Sequence, residues 1–332
     1  MAGSAKNSPR DTPGDDKVLA IDLGGTLTKI GLVSRKGSVL KAEVFKTGAM
    51  GPFEDFMDQV EQVFAKWQKD PGIKPLAMGI GAPNASSLTG CMENPPNFNW
   101  GNSIPLREAL KEKWDLPAYL TNDANAAALG EMYFGVARGL EHFVTLTLGT
   151  GLGSGIVSHG KLLTGSRGMA GEIGHINVFP EGRQCKCGLK GCLETYASVT
   201  GIRRTVMELI AEGGTDSVLS AYSYDELEGL TISHAALQGD PIAIKAFEFT
   251  GKILGLKMAD TAAHLDPEAF VISGGLSQAG DLLLNPIRKH MEARLFRAYR
   301  GKIAVLTTEY SSEEAVLGPA ALAWQHLDEG GV

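Results

Sequence analysis

The sequence lacks the long apolar runs, dense basic tracts and regularly paired cysteines that mark several common classes of protein. No stretch approaches the length of a membrane span, and residues 1–17 contain no hydrophobic run of the kind found in signal peptides. The net charge is −7, and no Lys/Arg tract is dense enough to indicate nucleic acid as the main partner. We therefore expect a cytoplasmic protein that binds neither nucleic acid nor membrane, with a disordered leader over residues 1–17.

Cysteine is scarce, with four residues in 332, which argues against a disulfide framework. Three of the four nevertheless lie within eight residues and follow a histidine: the cluster is His175, Cys185, Cys187 and Cys192. One imidazole and three thiolates form the donor set of a closed tetrahedral zinc site. Gly188 and Gly191 allow the backbone to turn tightly between the last two cysteines. Unpaired core cysteines beside an unrelated histidine are the alternative, which the close spacing disfavours.

Strands and helices alternate along the rest of the chain, whose 43% hydrophobic content suits two domains of ordinary size. In the first part we predict strands at Val18–Asp22, Lys29–Ser34, Ser38–Lys46, Ala77–Ala82 and Ala118–Thr121, and helices at Phe53–Lys69, Ile104–Trp114 and Ala124–Phe134. In the second part we predict strands at His142–Leu148, Ser154–Ser158, Ala269–Ser273 and Lys302–Thr307, and helices at Pro241–Leu265, Asp281–Phe296 and Glu313–Leu327.

Two glycine-rich strand–turn–strand units, about 125 residues apart, suggest an internal duplication. We expect two α/β domains with a cleft between them, where the carboxyl ends of the strands gather the functional loops. The first domain is predicted to comprise residues 18–123 and 308–332, and the second residues 124–307, with a zinc-binding loop at 172–194.

Three glycine turns each follow a predicted strand and are candidates for binding phosphate or nucleotide. The residues assigned to this role are Asp22, Gly24, Gly25, Thr26, Lys29, Gly149, Thr150, Gly151, Gly274 and Gly275. Asp22, at a strand end, can hold Mg²⁺ through water. The first turn taken alone is equally well explained as a tight hairpin, and none of the three is a Walker A loop or a dinucleotide fingerprint.

Five motifs occur in a fixed order: Asp22-Leu-Gly-Gly-Thr26, Asn122-Asp-Ala-Asn-Ala-Ala-Ala128, Leu148-Gly-Thr-Gly-Leu-Gly153, Glu172-Ile-Gly-His175 and Cys185-Lys-Cys-Gly-Leu-Lys-Gly-Cys-Leu-Glu194. This set resembles the ROK family (repressors, open reading frames and sugar kinases) of the hexokinase–actin superfamily, over about Val18 to Leu327. The resemblance implies two duplicated actin/hexokinase-like (ribonuclease H-like) domains, a homodimer, and the cofactors ATP, Mg²⁺ and a structural Zn²⁺. It is strongest toward bacterial ROK glucokinases.

The family's site residues carry over to matching positions of this chain. Asp123 matches the general base that takes the proton from the sugar 6-hydroxyl, although a helix N-cap is the plainer role for it. The resemblance implies that the sugar is bound by Asn97, Asn122, Asp123, Glu172, His175 and Glu194. Two departures stand out: Asn84 replaces the last glycine of a Gly-x-Pro-Gly turn, and the loop around Asn97 matches only loosely.

The resemblance implies ATP-dependent phosphorylation of glucose at O6. Another hexose, such as N-acetylmannosamine, N-acetylglucosamine or fructose, is a close alternative, and polyphosphate is an alternative donor. A sugar-responsive repressor would carry a helix-turn-helix domain before the first glycine turn, where only about seventeen polar residues precede Val18. A sugar-binding module without activity is disfavoured because Asp123 and both phosphate turns are intact.

Overall fold

The computed structural model describes residues 16–95, 98–213 and 216–330. Its strands are β1 (Lys17–Leu23), β2 (Leu27–Ser34), β3 (Val39–Lys46), β4 (Met78–Ala82), β5 (Ala85–Ser86), β6 (Cys91–Glu93), β7 (Ser103–Ile104), β8 (Ala118–Asn122), β9 (Phe143–Leu148), β10 (Leu152–Ser158), β11 (Lys161–Leu162), β12 (Ala269–Ser273) and β13 (Ala304–Thr307). Its α-helices are α1 (Phe53–Gln68), α2 (Leu106–Trp114), α3 (Asp123–Tyr133), α4 (Val199–Ala211), α5 (Gly229–Leu237), α6 (Pro241–Leu265), α7 (Asp281–Arg294) and α8 (Leu317–Asp328). Short 3₁₀ turns occur at Ile173–His175, Leu193–Thr195, Val218–Ala221, Gly275–Ala279 and Ser312–Val316.

The chain divides into two units, each built on a five-stranded sheet of the same design. The first unit runs to Ala126 and resumes at Glu313, and the second unit is Ala127–Ser312. The strand order is β3-β2-β1-β4-β8 in the first sheet and β11-β10-β9-β12-β13 in the second. In both sheets the first three strands form an antiparallel meander, and the last two run parallel to the strand that begins it. The predicted α/β fold with an internal duplication is therefore confirmed.

Helices cover both faces of the first sheet. Leu19 and Ile21 of β1 pack in one core with Phe56 of α1, while α8 lies against β1 and β4. Gly79 lets α8 approach closely, because a Cβ at that position would lie 1.7 Å from the backbone oxygen of Pro319. Two buried faces explain why these strands read as continuous apolar runs.

The second sheet is also covered on both faces, and the alternating residues of β12 show this. Phe270 and Ile272 belong to the larger core, which includes residues of α4, α6 and α7. Ala269 and Val271 point into a smaller core that contains Phe143 and Ala128. The 25-residue helix α6 begins at Pro241 and is capped by Asp240, whose carboxylate accepts hydrogen bonds from two backbone amides of the first turn.

Several predicted boundaries were wrong. The helix predicted from Ile104 begins at Leu106, because Ile104 pairs with Met92 in a small sheet of β5, β6 and β7 that the prediction lacked. Lys17, placed in the leader, is the first residue of β1 and pairs with Ser34, while residues 1–15 lie outside the described part of the chain. The helix predicted from Glu313 starts as a 3₁₀ turn, and α8 proper begins at Leu317.

Helices α4 and α5 and strand β11 were not predicted at all. A signal for α4 exists in the sequence, since Ser198 is an N-cap residue whose hydroxyl accepts from the Gly201 amide at 3.0 Å. Within the described residues, none of the helices is both long and apolar enough to cross a membrane.

Candidate active site

Polar side chains gather at one edge of the first sheet. Strands β1, β4 and β8 run parallel, and their register pairs Asp22 with Gly81 and Ala82 with Asn122. The ends of the three strands therefore meet, and Asp22, Asn122 and Asp123 share this edge. The sequence predicted these three positions as functional, and the topology explains how residues 100 apart in the chain come to lie at one edge of the sheet.

Asp123 is the first residue of α3 and is exposed. The Ala124 amide donates to the Asn122 side-chain oxygen at 2.9 Å and to Asp123 Oδ1 at 2.8 Å. Positive charge at a helix N-terminus favours the ionised carboxylate. The geometry thus gives Asp123 a capping contact while leaving its side chain accessible.

The first glycine turn closes the hairpin of β1 and β2. The Gly24 amide donates to the Leu27 carbonyl at 3.0 Å, and the Thr47 hydroxyl donates to the Gly24 carbonyl at 2.6 Å. Gly25 and Thr26 are exposed at its tip. These contacts hold the turn without covering its tip.

Asp22 and Lys29 face each other across the same hairpin. Lys29 Nζ lies 3.5 Å from Asp22 Oδ2, and the two side chains are only 21% and 24% exposed. Desolvation by burial raises the pKa of Asp22 above its usual value, and the Lys29 ammonium opposes this rise. The pair places one acid and one cation beside the first turn.

The turn after β4 contains Asn84, which was expected to replace the last glycine of a Gly-x-Pro-Gly turn. Its φ of 50° is left-handed, the conformation that asparagine tolerates and that a glycine at this position would adopt freely. The Asn84 amide nitrogen donates to the carbonyls of Glu93 and Asn94, both at 3.2 Å. Asn97, predicted to contact the sugar, lies outside the described residues.

The second and third glycine turns lie side by side within the second unit. Gly274, with φ of 84°, packs so closely on the end of β9 that a Cβ would lie 2.7 Å from the Leu148 backbone. Gly149 and Gly275 face open space, since a Cβ at either position would meet no atom within 4 Å. The pair of turns therefore leaves room at its surface for a ligand to approach the backbone.

Helix α4 holds the second turn in place. The Val199 amide donates to the Gly149 carbonyl at 2.9 Å, and the Thr200 hydroxyl donates to the Thr150 carbonyl at 2.7 Å. Neither Val199 nor Thr200 was predicted to contribute to the site, because no helix was predicted for this segment.

The four predicted zinc ligands come together in the second unit. Their ligand atoms all lie within 4.8 Å of one another. Cys187 Sγ is 3.6 Å from Cys192 Sγ, and Cys185 Sγ is 3.8 Å from His175 Nδ1. Two thiolates on one zinc ion would be about 3.8 Å apart, given Zn–S bonds of about 2.3 Å at tetrahedral angles. The donor set and the spacing both fit a zinc ion.

The backbone of the zinc loop depends on its glycines. Gly188 and Gly191 have φ of 94° and 74°. A Cβ at Gly191 would lie 1.8 Å from the Phe179 carbonyl oxygen, so only glycine fits there. The turn predicted between Cys187 and Cys192 is thus present, with a second reason for glycine at 191 that the sequence did not reveal.

Two carboxylates flank His175. Glu172 Oε2 lies 3.9 Å from His175 Nε2, and Glu194 Oε1 lies 3.8 Å from His175 Nδ1. The Cys185 thiol donates to Glu194 Oε1 at 2.9 Å, and burial together with this carboxylate raises the thiol pKa. His175, Glu172 and Glu194 therefore form one polar group against the cysteine cluster.

Comparison with known proteins shows similarity along nearly the whole chain. The profile of the ROK family matches residues 18–326. The glucokinase of Thermotoga maritima is 34% identical over 313 residues, covering 94% of this chain and 98% of that enzyme. The ROK family glucokinase of Streptomyces griseus, solved in complex with glucose and AMPPNP, is 35% identical with a TM-score of 0.81, covering 93% of this chain and 99% of that one.

Regulators also resemble this chain. A solved ROK family transcriptional regulator, a homologue of the Escherichia coli MLC protein, is 27% identical with a TM-score of 0.86, covering 96% of this chain and 80% of that one. Kinases and regulators thus share the same scaffold, so the fold alone does not separate the two functions. The match along nearly the whole chain shows that this protein is a member of the ROK family.

Proposed function

We propose that this protein is an ATP-dependent glucokinase that transfers the γ-phosphoryl group of ATP to O6 of glucose. The observation that carries the proposal is the similarity to glucokinases over nearly their full length, including one bound to glucose and AMPPNP. The exposed carboxylate of Asp123 at the sheet edge, beside Asn122, supports the same reading.

Asp123 is the proposed general base. Its carboxylate is favoured in the ionised form by the α3 N-terminus, and it would accept the proton of the sugar 6-hydroxyl as the phosphoryl group is transferred. Asn122 precedes it at the end of β8 and would bind a neighbouring hydroxyl. Asn97 remains a predicted sugar contact.

The glycine turns are the proposed phosphate and nucleotide contacts. Exposed backbone at Gly25 and open space at Gly149 and Gly275 would let phosphate oxygens or the ribose approach main-chain amides. Thr26 and Thr150 would add hydroxyl donors, and Lys29 a positive charge. Mg²⁺ would be held through water by Asp22 and would neutralise charge that develops on the phosphates.

The zinc ion would be held by His175, Cys185, Cys187 and Cys192, and with four protein ligands it would serve structure rather than activate water. His175 Nδ1 faces the cysteines, while Nε2 faces Glu172. A ring fixed in this way presents a defined donor beside Glu172 and Glu194, the other proposed sugar contacts. The loop thus orients the groups that would recognise the sugar.

A hexose panel with ATP and Mg²⁺ tests the proposal by measuring sugar phosphate formation. We expect glucose to be used far better than fructose or the N-acetylhexosamines, by about ten- to a hundredfold for each lost hydrogen bond. Comparable kcat/KM for N-acetylmannosamine would move the substrate assignment to another hexose. Glucose binding without any turnover, with either ATP or polyphosphate, would instead favour the regulator function of the related repressors.

A further inference from the structure

Arg183 lies in the zinc loop, two residues before Cys185, and makes several buried contacts although no role has been assigned to it. Its Nη1 donates to the backbone oxygens of Thr195 at 2.7 Å and Gly201 at 3.0 Å, and Nη2 donates to the Thr205 hydroxyl at 2.9 Å. The guanidinium also lies 4.5 Å from the centre of the Tyr196 ring, and the side chain is only 9% exposed. A buried cation is thus satisfied by groups outside its own loop.

Most of these partners belong to α4 or to the turn that leads into it. Thr205 and Gly201 lie on α4, and Thr195 ends the 3₁₀ turn that carries Glu194. Glu208, also on α4, forms a two-pronged ion pair with Arg183, but its side chain is 55% exposed, so solvent screens that contact. The buried contacts to backbone oxygens therefore contribute more than the ion pair does.

The first turn of α4 also holds the second glycine turn, through the Val199 amide on the Gly149 carbonyl and the Thr200 hydroxyl on the Thr150 carbonyl. A second connection runs through Glu194. A Cβ at Gly151 would lie 2.7 Å from Glu194 Oε2, and the Ser198 hydroxyl, the N-cap of α4, donates to the Glu194 carbonyl at 2.7 Å. The zinc loop and the glycine turn are thus joined by one contiguous set of contacts.

We propose that Arg183 is a positioning residue that couples the zinc loop to the phosphate-binding turn Gly149–Gly151 through α4. The inference rests on the proposed function, because it assigns sugar contacts to the loop and phosphate contacts to the turn. Its consequence is that loosening the zinc loop weakens nucleotide binding as well as sugar binding. A loop that merely supported its own fold would affect the sugar alone.

The test measures the affinity for AMPPNP and for glucose by calorimetry, and zinc content by metal analysis, in the full-length protein. Arg183→Lys keeps the charge but cannot reproduce the fork of donors, and we expect its Kd for AMPPNP to rise about tenfold. The matched control is Arg204→Met, since Arg204 on α4 makes a single hydrogen bond to the zinc loop, to the Gln184 carbonyl at 3.0 Å. We expect the control to bind AMPPNP like the wild type.

A double-mutant cycle with Thr200→Val decides whether the effect passes through α4. The Thr200 hydroxyl donates to the Thr150 carbonyl and Thr200 is not one of the four predicted zinc ligands, so this variant should keep its zinc and its glucose affinity while its Kd for AMPPNP rises. If the contacts form one path, Arg183→Lys should add much less than tenfold in the Thr200→Val background. Full additivity, or an unchanged AMPPNP affinity in Arg183→Lys, would overturn the coupling.

The proposed function is checked separately by the wild type. A wild type that phosphorylates glucose while Arg183→Lys binds AMPPNP normally refutes the coupling and leaves the function intact. A wild type that neither binds AMPPNP nor phosphorylates glucose refutes the function, and the coupling with it.

Discussion

The two units carry the same sheet, yet the hairpins at equivalent positions differ in charge. In the first unit the second residue pair from the turn is Asp22 and Lys29, and in the second unit it is Thr147 and Gly153. The duplicated scaffold therefore places a glycine turn at the same point twice, while an acid and a cation occupy this strand pair only in the first of the two hairpins. The sheet sets the position of each glycine turn, and a few residues at the edge of the sheet set the charge beside it.

The turns also differ in what supports them. Thr47, which follows β3, bonds to both Gly24 and Thr26 and so holds the first turn from within its own meander. The second turn is held by Val199 and Thr200 of α4, an element inserted between β11 and β12. We infer that the second turn depends on distant parts of its unit, including the zinc loop, in a way that the first turn does not.

The largest effect is expected at the edge of the first sheet. Asp123→Asn should lower kcat by about 10²–10⁴ and leave glucose affinity nearly unchanged, because the amide cannot accept the proton. Asp281→Asn is the matched control, since Asp281 is also an exposed aspartate that begins a helix. Steady-state kinetics of both variants separate a base from a capping residue. Equal activity in the two variants would reduce Asp123 to a helix cap.

The next largest effect is expected at the cysteine cluster of the second unit. Cys187→Ser should lose most of the bound zinc, about one ion per chain in the wild type, and should weaken glucose binding by about tenfold or more. Its melting temperature should also fall, because the metal closes the loop. Cys91→Ser, at a partly buried cysteine of the first unit, is the control for thiol loss. Full zinc content in Cys187→Ser, measured by metal analysis, would remove this cysteine from the ligand set.

Much of the fold could be predicted because it depends on local patterns. Helix α6 and strand β12 have the predicted bounds, since a 25-residue helix with an Asp-Pro start and a fully buried strand leave little ambiguity. The boundary at Ile104 failed because pairing with Met92 is a contact between distant residues. Tertiary pairing overrode the local helical pattern there.

In the candidate site too, features that depend on residues close in sequence could be predicted, and features that depend on distant contacts could not. The cysteine cluster was visible because its ligands lie close in sequence, and the structure brings all four together. Arg183 gave no such signal, because an arginine in a polar loop is ordinary until its partners on α4 are known. Gly151 was predicted as a phosphate contact, whereas the room that its missing side chain leaves for Glu194 is visible only in the structure.

A moderate effect is expected from filling the open space at the second turn. Gly149→Ala should raise the KM for ATP by about tenfold while the melting temperature stays near that of the wild type, because the added methyl group meets no protein atom. Gly274→Ala should instead lower the melting temperature, since its methyl group would collide with the Leu148 backbone. Kinetics and thermal unfolding of the two variants distinguish a glycine that leaves space for a ligand from a glycine that is required for packing. A normal KM in Gly149→Ala would mean that the phosphates approach another part of the turn.

The smallest expected effect compares two carboxyl groups, one in each unit, whose pKa is raised by burial. The Asp22 carboxylate has the Lys29 ammonium beside it. For Glu131, the described groups that shift the pKa in addition to burial are the Thr308 hydroxyl, the Val136 amide and the acidic Glu309. Because the folded state holds the proton of Glu131 more tightly than the unfolded state, its contribution to the free energy of unfolding falls as the pH rises from about 4.5 through the raised pKa.

Glu131→Gln removes this titration at nearly constant volume and keeps an oxygen that can accept from the Val136 amide, which now donates to Glu131 Oε2 at 3.1 Å. We expect the stability of the wild type to decline relative to this variant as the pH rises above about 4.5, by about 1.4 kcal/mol for each unit by which the pKa is raised. Denaturant unfolding of both proteins across this range measures the difference directly, because the two proteins share every other titratable group and, of these, Glu309 is the one described acid that interacts with Glu131. A difference that stays constant with pH, or that changes in favour of the wild type as the pH rises, would show that Glu131 is ionised in the folded protein at no cost. In that case the second unit would tolerate its buried carboxylate without the kind of cation that Lys29 provides in the first.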